Sequence, residues 1–191
     1  MSPLRPEVTA AFRAFSEPLE GCVHHIYLDV RGLATTGIGC LIDPLPLALA
    51  LPWTRGDGGE LAEAHEVTAE WRRVHALPAG RVASYYAGPL RLPDAAIDAL
   101  LHERLDAAAR VLERHYPDLG AWPAQAQLAT CSMAWALGAS FAPRWPRFSA
   151  AARARDWQTC AVECAISTVG NPGVAPRNEA NRALLLAAVG A

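Results

Sequence analysis

Three side chains near the N-terminus have the types and spacing for acid–base chemistry on a sugar. In "EGCVHHIYLDVRGLATTGIGC", residues 20–40, Glu20 and Asp29 stand nine positions apart and Thr35 follows after six more. With Glu20 ending one element and Asp29 in a hairpin, the two carboxylates face each other across a gap in different surroundings. A Glu shielded by apolar neighbours has its pKa raised and donates a proton, whereas an Asp in a wetter turn stays ionised and serves as a base. Hydrolysis of a glycosidic bond needs such a pair: an acid for the leaving oxygen, and a carboxylate for water or the developing positive charge. A gap of roughly 6.5–9.5 Å admits a water and gives inversion. A threonine hydroxyl beside that gap holds the water in line. On spacing alone a plainer use is the commoner one: Glu20 caps or solvates a helix end and Asp29 serves a turn.

The elements that must position these groups are readable from periodicity. Val8, Ala11, Phe12 and Phe15 predict a helix over 5–20, with Pro6 tolerated in its first turn and Gly21 as its stop. Strand formers (Val23, Ile26, Tyr27, Val30, Thr35, Thr36, Ile38, Ile42) dominate 23–42, and Arg31-Gly32 sits at a natural turn. This predicts a small hairpin or three-stranded sheet, with no other convincing β segment. "RGDGG" (55–59) reads as a loop. Helices are expected over 61–77, 94–116 (with Asp94 capping its start), 123–137, 143–154, 156–168 and 176–189. The almost wholly apolar 123–137 segment reads as the buried central helix. The expected architecture is α+β and mostly helical. Two lobes joined by a long helix leave a cleft beside the β element, where ligands usually bind.

Composition narrows the classes. With 191 residues, 52% hydrophobic and 19% charged, the chain buries a real core as one domain. No run of eighteen apolar residues occurs, so no membrane span is expected. The N-terminal "MSPLRPEVTAAF" lacks the apolar stretch of a signal peptide, which predicts synthesis in the cytoplasm without an export signal. All 17 basic residues are Arg, six of them after residue 140 against three acids there. That asymmetry is too weak for a nucleic-acid footprint. Five cysteines fit neither a disulfide framework nor a zinc ribbon, and Cys160 and Cys164, one turn apart, read as packing residues. Cys22, His24, His25 and Cys40 match no standard zinc spacing, so neither a metal nor a cofactor is expected. Cys22 and Cys40 also lack a supporting His-Asp arrangement for nucleophilic catalysis. Glu17 is a rival acid one turn before Glu20 but lacks the following glycine. Arg177 and Arg182 either contact a sugar or an anionic ligand or form a solvated face, the latter slightly favoured.

Glu20-Gly21, Tyr27, Asp29, Gly32, Thr35, Gly37 and Gly39 together resemble the catalytic signature of the phage-type lysozymes, the muramidases of glycoside hydrolase family 24, with every spacing kept. The resemblance is sharp over 16–42, fair over 125–190 ("MAWALG", "ARDWQTCAVECAI", "GNPGVAPRNEANRALLL") and loose between. It implies a single lysozyme-like domain over 1–191, with a β-containing lobe to about residue 60 and a helical lobe over 61–191. It also implies cleavage of the β-1,4 bond between N-acetylmuramic acid and N-acetylglucosamine in peptidoglycan, with inversion. Glu20 then looks like the general acid, Asp29 the carboxylate that handles water, and Thr35 its hydrogen-bonding partner. Leu41 falls where the family has a cleft-lining Leu. Trp135 falls near a cleft aromatic, although one more buried aromatic on an apolar helix accounts for it equally well. Cys40 departs from the family's usual His, a structural ion-pair partner, and Ala136 from a polar residue.

The implied partner is the glycan strand, met by a monomer that binds neither nucleic acid nor membrane and acts in the periplasm or wall of a target cell after assisted export. Release as a phage endolysin and injection as a bacterial toxin effector both fit. The modest charge, the arginine-rich composition and the loose 43–92 region favour the effector, for which an immunity protein in the cleft is expected. A non-catalytic peptidoglycan-binding module is the alternative. A lytic transglycosylase, which uses one acid, has no need of Asp29 and Thr35.

Overall fold

Pro6, whose missing N–H is no loss in a first turn, opens helix α1 (Pro6–Glu20) in the computed structural model, which describes residues 2–191. Val8, Phe12 and Ser16 are its buried positions, one per helical turn. Gly21, at φ +76°, adopts the left-handed conformation that commonly follows a helix end. Three antiparallel strands follow in the order β1 (Val23–Leu28), β2 (Ala34–Gly37), β3 (Cys40–Leu41). Tyr27 pairs with Thr35 and Leu28 with Ala34. Thr35 in turn pairs with Leu41, and Thr36 with Cys40. Side chains alternate along strands, so Leu28, Ala34, Thr36 and Cys40 share a face and all are buried. Tyr27, Thr35 and Leu41 form a row on the opposite face.

The register contains a bulge. Val23 pairs with Gly37 and Tyr27 with Thr35, four steps along β1 against two along β2. The Thr36 hydroxyl spans it, lying 3.1 Å from both the Val23 and His25 carbonyl oxygens.

The remaining elements are α2 (Leu45–Leu49), β4 (Thr54–Arg55), α3 (Ala64–His75), a 3-10 turn at Ala83–Tyr86, β5 (Leu90–Arg91), α4 (Asp94–His115), α5 (Ala124–Leu137), α6 (Pro146–Arg153), α7 (Trp157–Glu163) and α8 (Ala175–Ala187). The mostly helical α+β class expected from the sequence is the class observed. Two elements were not foreseen: the short α2, and the two-stranded antiparallel sheet of β4 and β5. Each of those strands is two residues long, and two residues carry no period. Asp94 is the first residue of α4, and the Pro93 carbonyl accepts the first amides, from Ala96 and Ile97.

The chain divides into two compact units at residues 19/20 and 102/103, rather than near residue 60. Glu20–His102 forms one unit and contains both sheets. Within it, Arg55 on β4 grips the Glu66 carboxylate of α3 through Nε at 2.9 Å and Nη2 at 2.8 Å. Those bonds hold the Glu66 carboxyl down to about 2. The buried Glu70 accepts two bonds of 2.8 Å from Arg73, whose Nη2 also reaches the Tyr86 carbonyl. His75 stacks on Trp71 with ring centroids 3.8 Å apart, and its Nε2 lies 3.2 Å from Asp43 Oδ2. The same oxygen accepts the Ala34 amide at 3.1 Å, tying α3 to the start of β2.

The other unit holds the rest of the chain. Its centre is α5, buried continuously from Ala126 to Ala134 as its apolar sequence predicts, with α8 packed against it. An aromatic cluster joins Tyr116, Trp122 and Trp157 at centroid spacings of 5.1 and 5.0 Å. The Tyr116 hydroxyl meets Ser149 Oγ at 2.8 Å, and that hydroxyl also bonds the Ala142 carbonyl. Among the described residues, no helix is long and apolar enough to cross a membrane.

Candidate functional site

The turn after β1 is built around the Asp29 side chain. Asp29 Oδ1 accepts the backbone amides of Arg31 at 2.8 Å and Leu33 at 2.9 Å. The Asp29 amide donates to the Leu33 carbonyl, and the Gly32 amide to the Asp29 carbonyl, both at 3.0 Å. Gly32 sits at φ +80°, where a side chain is strained. An aspartate with two backbone amides on one oxygen is the usual device for such a turn. The plainer use of Asp29 is therefore real. It occupies Oδ1, while Oδ2 pairs with the exposed Arg31 Nε at 3.6 Å.

Thr35, only 5% exposed, stands in the middle of its row, between Tyr27 and Leu41. Its hydroxyl donates to the Leu33 carbonyl at 3.1 Å. A hydroxyl has one proton, so Thr35 Oγ1 meets any further partner as an acceptor. Leu41 beside it is 40% exposed, a large apolar surface left open in a short central hairpin. Gly37 is the close approach that ends β2: a Cβ there would lie 3.3 Å from Ile97 Cγ2, at a φ of +61°.

Glu20 is the last residue of α1 and is half-buried. Burial, then the negative charges of Glu20, Cys40 and Asp29, push the Tyr27 phenol up to about 12. The ring belongs to the residue paired with Thr35 across the sheet. Glu20, Asp29, Thr35 and Leu41 all belong to the Glu20–His102 unit. Trp135 belongs to the other unit, where it is half-buried and makes an edge contact with Phe12 at 5.2 Å.

The rival readings separate here. Glu17 is engaged by Arg13 at 3.1 Å, one turn away on the same helix face. Arg177 does not lie on a solvated face: it is 3% exposed, and Nη1 donates to the Ser132 carbonyl at 3.1 Å and to Ser132 Oγ at 3.0 Å. The helical repeat of α8 carried no sign of this, because a buried guanidinium satisfied by a helix backbone looks like any other Arg in sequence. Arg182 is exposed. Cys40, at the position of the family's usual His, is buried with Sγ 3.9 Å from the Ile38 carbonyl.

The four residues considered for a metal set from sequence do not converge. His25 Nε2 donates to the Ala83 carbonyl at 2.7 Å, and burial, above all, holds its imidazole below the ordinary range. Cys22 and His24 do meet, and a residue that spacing never suggested joins them: Asp94, some seventy positions on. Neither a scan of protein-family models nor a search of curated proteins finds a match to this chain.

Proposed function

We propose that the chain is a peptidoglycan hydrolase, an inverting N-acetylmuramidase. The observation that carries this reading is the row of three residues across the sheet. Tyr27, Thr35 and the exposed Leu41 stand side by side, the Asp29 turn directly follows β1, and Glu20 closes α1 just before β1 begins. The eight-position resemblance to the phage-type lysozymes supports it from the sequence side.

The roles follow from donor and acceptor capacity. Glu20, protonated, gives its proton to the glycosidic oxygen as the bond to N-acetylmuramic acid C1 breaks. A water approaches C1 from the opposite face of the sugar. Asp29 Oδ2 takes one of its protons, and Thr35 Oγ1, its own proton committed to Leu33, accepts a hydrogen bond from the other. With both hydrogens so directed, a water lone pair points at C1. One water is consumed, and the new hydroxyl carries the inverted configuration. Tyr27, raised to about 12, stays a neutral phenol throughout. Leu41 offers an apolar surface to the sugar. Delivery by a secretion device, with an immunity protein as partner, or by holin-assisted release, belongs to the same proposal and rests on the resemblance alone.

One observation favours a second reading. Because Asp29 Oδ1 caps its own turn, the residue has a structural reason to be present in a non-catalytic peptidoglycan-binding module. Release of soluble muropeptides from purified peptidoglycan separates the two. The hydrolase reading predicts release by the wild type and a loss of about 100-fold or more in Glu20→Gln, the usual scale of general acid catalysis. Folded wild-type protein that sediments with the wall and releases nothing supports the binding module instead.

A further inference from the structure

The β1 bulge turns His24 towards the start of α4. Its Nδ1 lies 2.9 Å from the Leu92 carbonyl oxygen, and the Leu92 amide returns a bond of 2.7 Å to the His24 carbonyl. A carbonyl only accepts, so Nδ1 carries the proton and the neutral ring turns its lone-pair nitrogen, Nε2, to a neighbouring thiol. That nitrogen faces Cys22 Sγ at 3.8 Å. One ligand atom each from Cys22, His24 and Asp94 lies within 4.8 Å of the others.

We infer that Cys22, His24 and Asp94 form a binding site for a zinc-class transition-metal ion. Three features of the geometry carry this. Bonds of about 2.3 Å to sulfur and about 2.05 Å to nitrogen at a tetrahedral angle place those two atoms about 3.6 Å apart; here they stand at 3.8 Å. The carboxylate of the exposed Asp94 lies within 4.8 Å of both, near enough to supply a third ligand. The ring is held from behind by a backbone carbonyl, the arrangement that fixes tautomer and orientation in most metal-ligating histidines. The donor set decides the ion: sulfur and imidazole nitrogen select zinc, cobalt or their neighbours over calcium and magnesium, which prefer oxygen alone.

Three protein ligands leave a fourth position for water, on the side where Asp94 is exposed to solvent. Cys22 and His24 flank the first residue of β1 and Asp94 opens α4, so the ion joins two elements of the Glu20–His102 unit. The site stands whether or not the chain cleaves glycan.

The test uses the full chain and the metals alone. Reduced protein is loaded with Zn2+, desalted and assayed for bound metal, and a parallel sample receives Co2+. The expected result is one zinc per chain retained, a sulfur-to-cobalt charge-transfer band with tetrahedral d–d absorption, and protection of Cys22 from alkylation by zinc. Cys22→Ser removes the charge-transfer band. His24→Gln and Asp94→Asn each weaken zinc binding about tenfold or more, whereas His102→Gln leaves it unchanged. Zinc that is lost on desalting, a cobalt spectrum without sulfur character, or alkylation of Cys22 at the same rate with and without zinc overturns the assignment. The last two are read on the wild type and hold even if a variant fails to fold.

Discussion

Thr36 is fully buried, and its hydroxyl bridges the bulge that sets both the register of Thr35 and the aim of His24. Thr36→Val keeps the shape and raises both hydrophobicity and strand preference, so composition alone predicts no loss. The structure predicts the reverse. Valine replaces the one proton shared by the Val23 and His25 carbonyls with a methyl group, and an unsatisfied buried polar group costs about 1–3 kcal/mol. Thr36→Ser keeps the hydroxyl and loses one methyl, at about 1 kcal/mol. Thr36→Ala loses both, at about 3 kcal/mol. For a chain of this size each kcal/mol lowers Tm by about 2–4 °C. Urea unfolding of the four proteins, with the slopes compared to exclude changes in the unfolded state, gives the order directly. Serine above valine above alanine is the expected ranking. A Thr36→Val protein as stable as Thr36→Ser refutes the bridging role.

Arg73→Met leaves the Glu70 carboxylate, 4% exposed, without its partner and costs about 2–3 kcal/mol in thermal unfolding, below the range for a fully buried pair because Arg73 is 39% exposed. Gly88→Ala destabilises in the same direction, since a Cβ there would collide with Glu70 Oε1 and stand 2.7 Å from Arg73 Nη2. His25 is held below its unfolded pKa of 6.5, chiefly by burial. As pH falls through about 6.5 the unfolded chain therefore binds the proton first, and stability drops from there towards the folded-state value; stability curves of wild type and His25→Gln against pH test this, the variant having the shallower slope. Of the five thiols, Cys40, Cys131, Cys160 and Cys164 are buried and only Cys22 is partly exposed. Burial pushes Cys131 and Cys160 up to about 12. One thiol per folded, metal-free chain should react promptly with a disulfide reagent, and prompt reaction of two or more contradicts the placement.

What was legible in the sequence is what depends on short-range pattern. The stripe of α1, the strand formers between Val23 and Ile42, and the apolar run of α5 each place an element within a few residues of where it lies. The glycines of the turn region were readable because Gly32 and Gly37 take φ values that other residues resist. What escaped depends on pairing at long range. Thr54-Arg55 becomes a strand only because Leu90-Arg91 lies beside it. Asp94 joins Cys22 and His24 across a separation no spacing rule covers. Arg177 is buried because the Ser132 carbonyl and hydroxyl on α5 receive it. The turn role of Asp29 was legible in the sequence, but not that a single oxygen, Oδ1, accepts both the Arg31 and the Leu33 amides.

The most direct test of the muramidase reading is mass spectrometry of the soluble fragments that wild type and Glu20→Gln release from purified peptidoglycan. The account predicts fragments ending in reducing N-acetylmuramic acid from the wild type, and their loss in the variant at equal folded concentration. Anhydro-muramic ends would contradict a water-holding Asp29 and Thr35, and undiminished release by Glu20→Gln would contradict Glu20 as the acid.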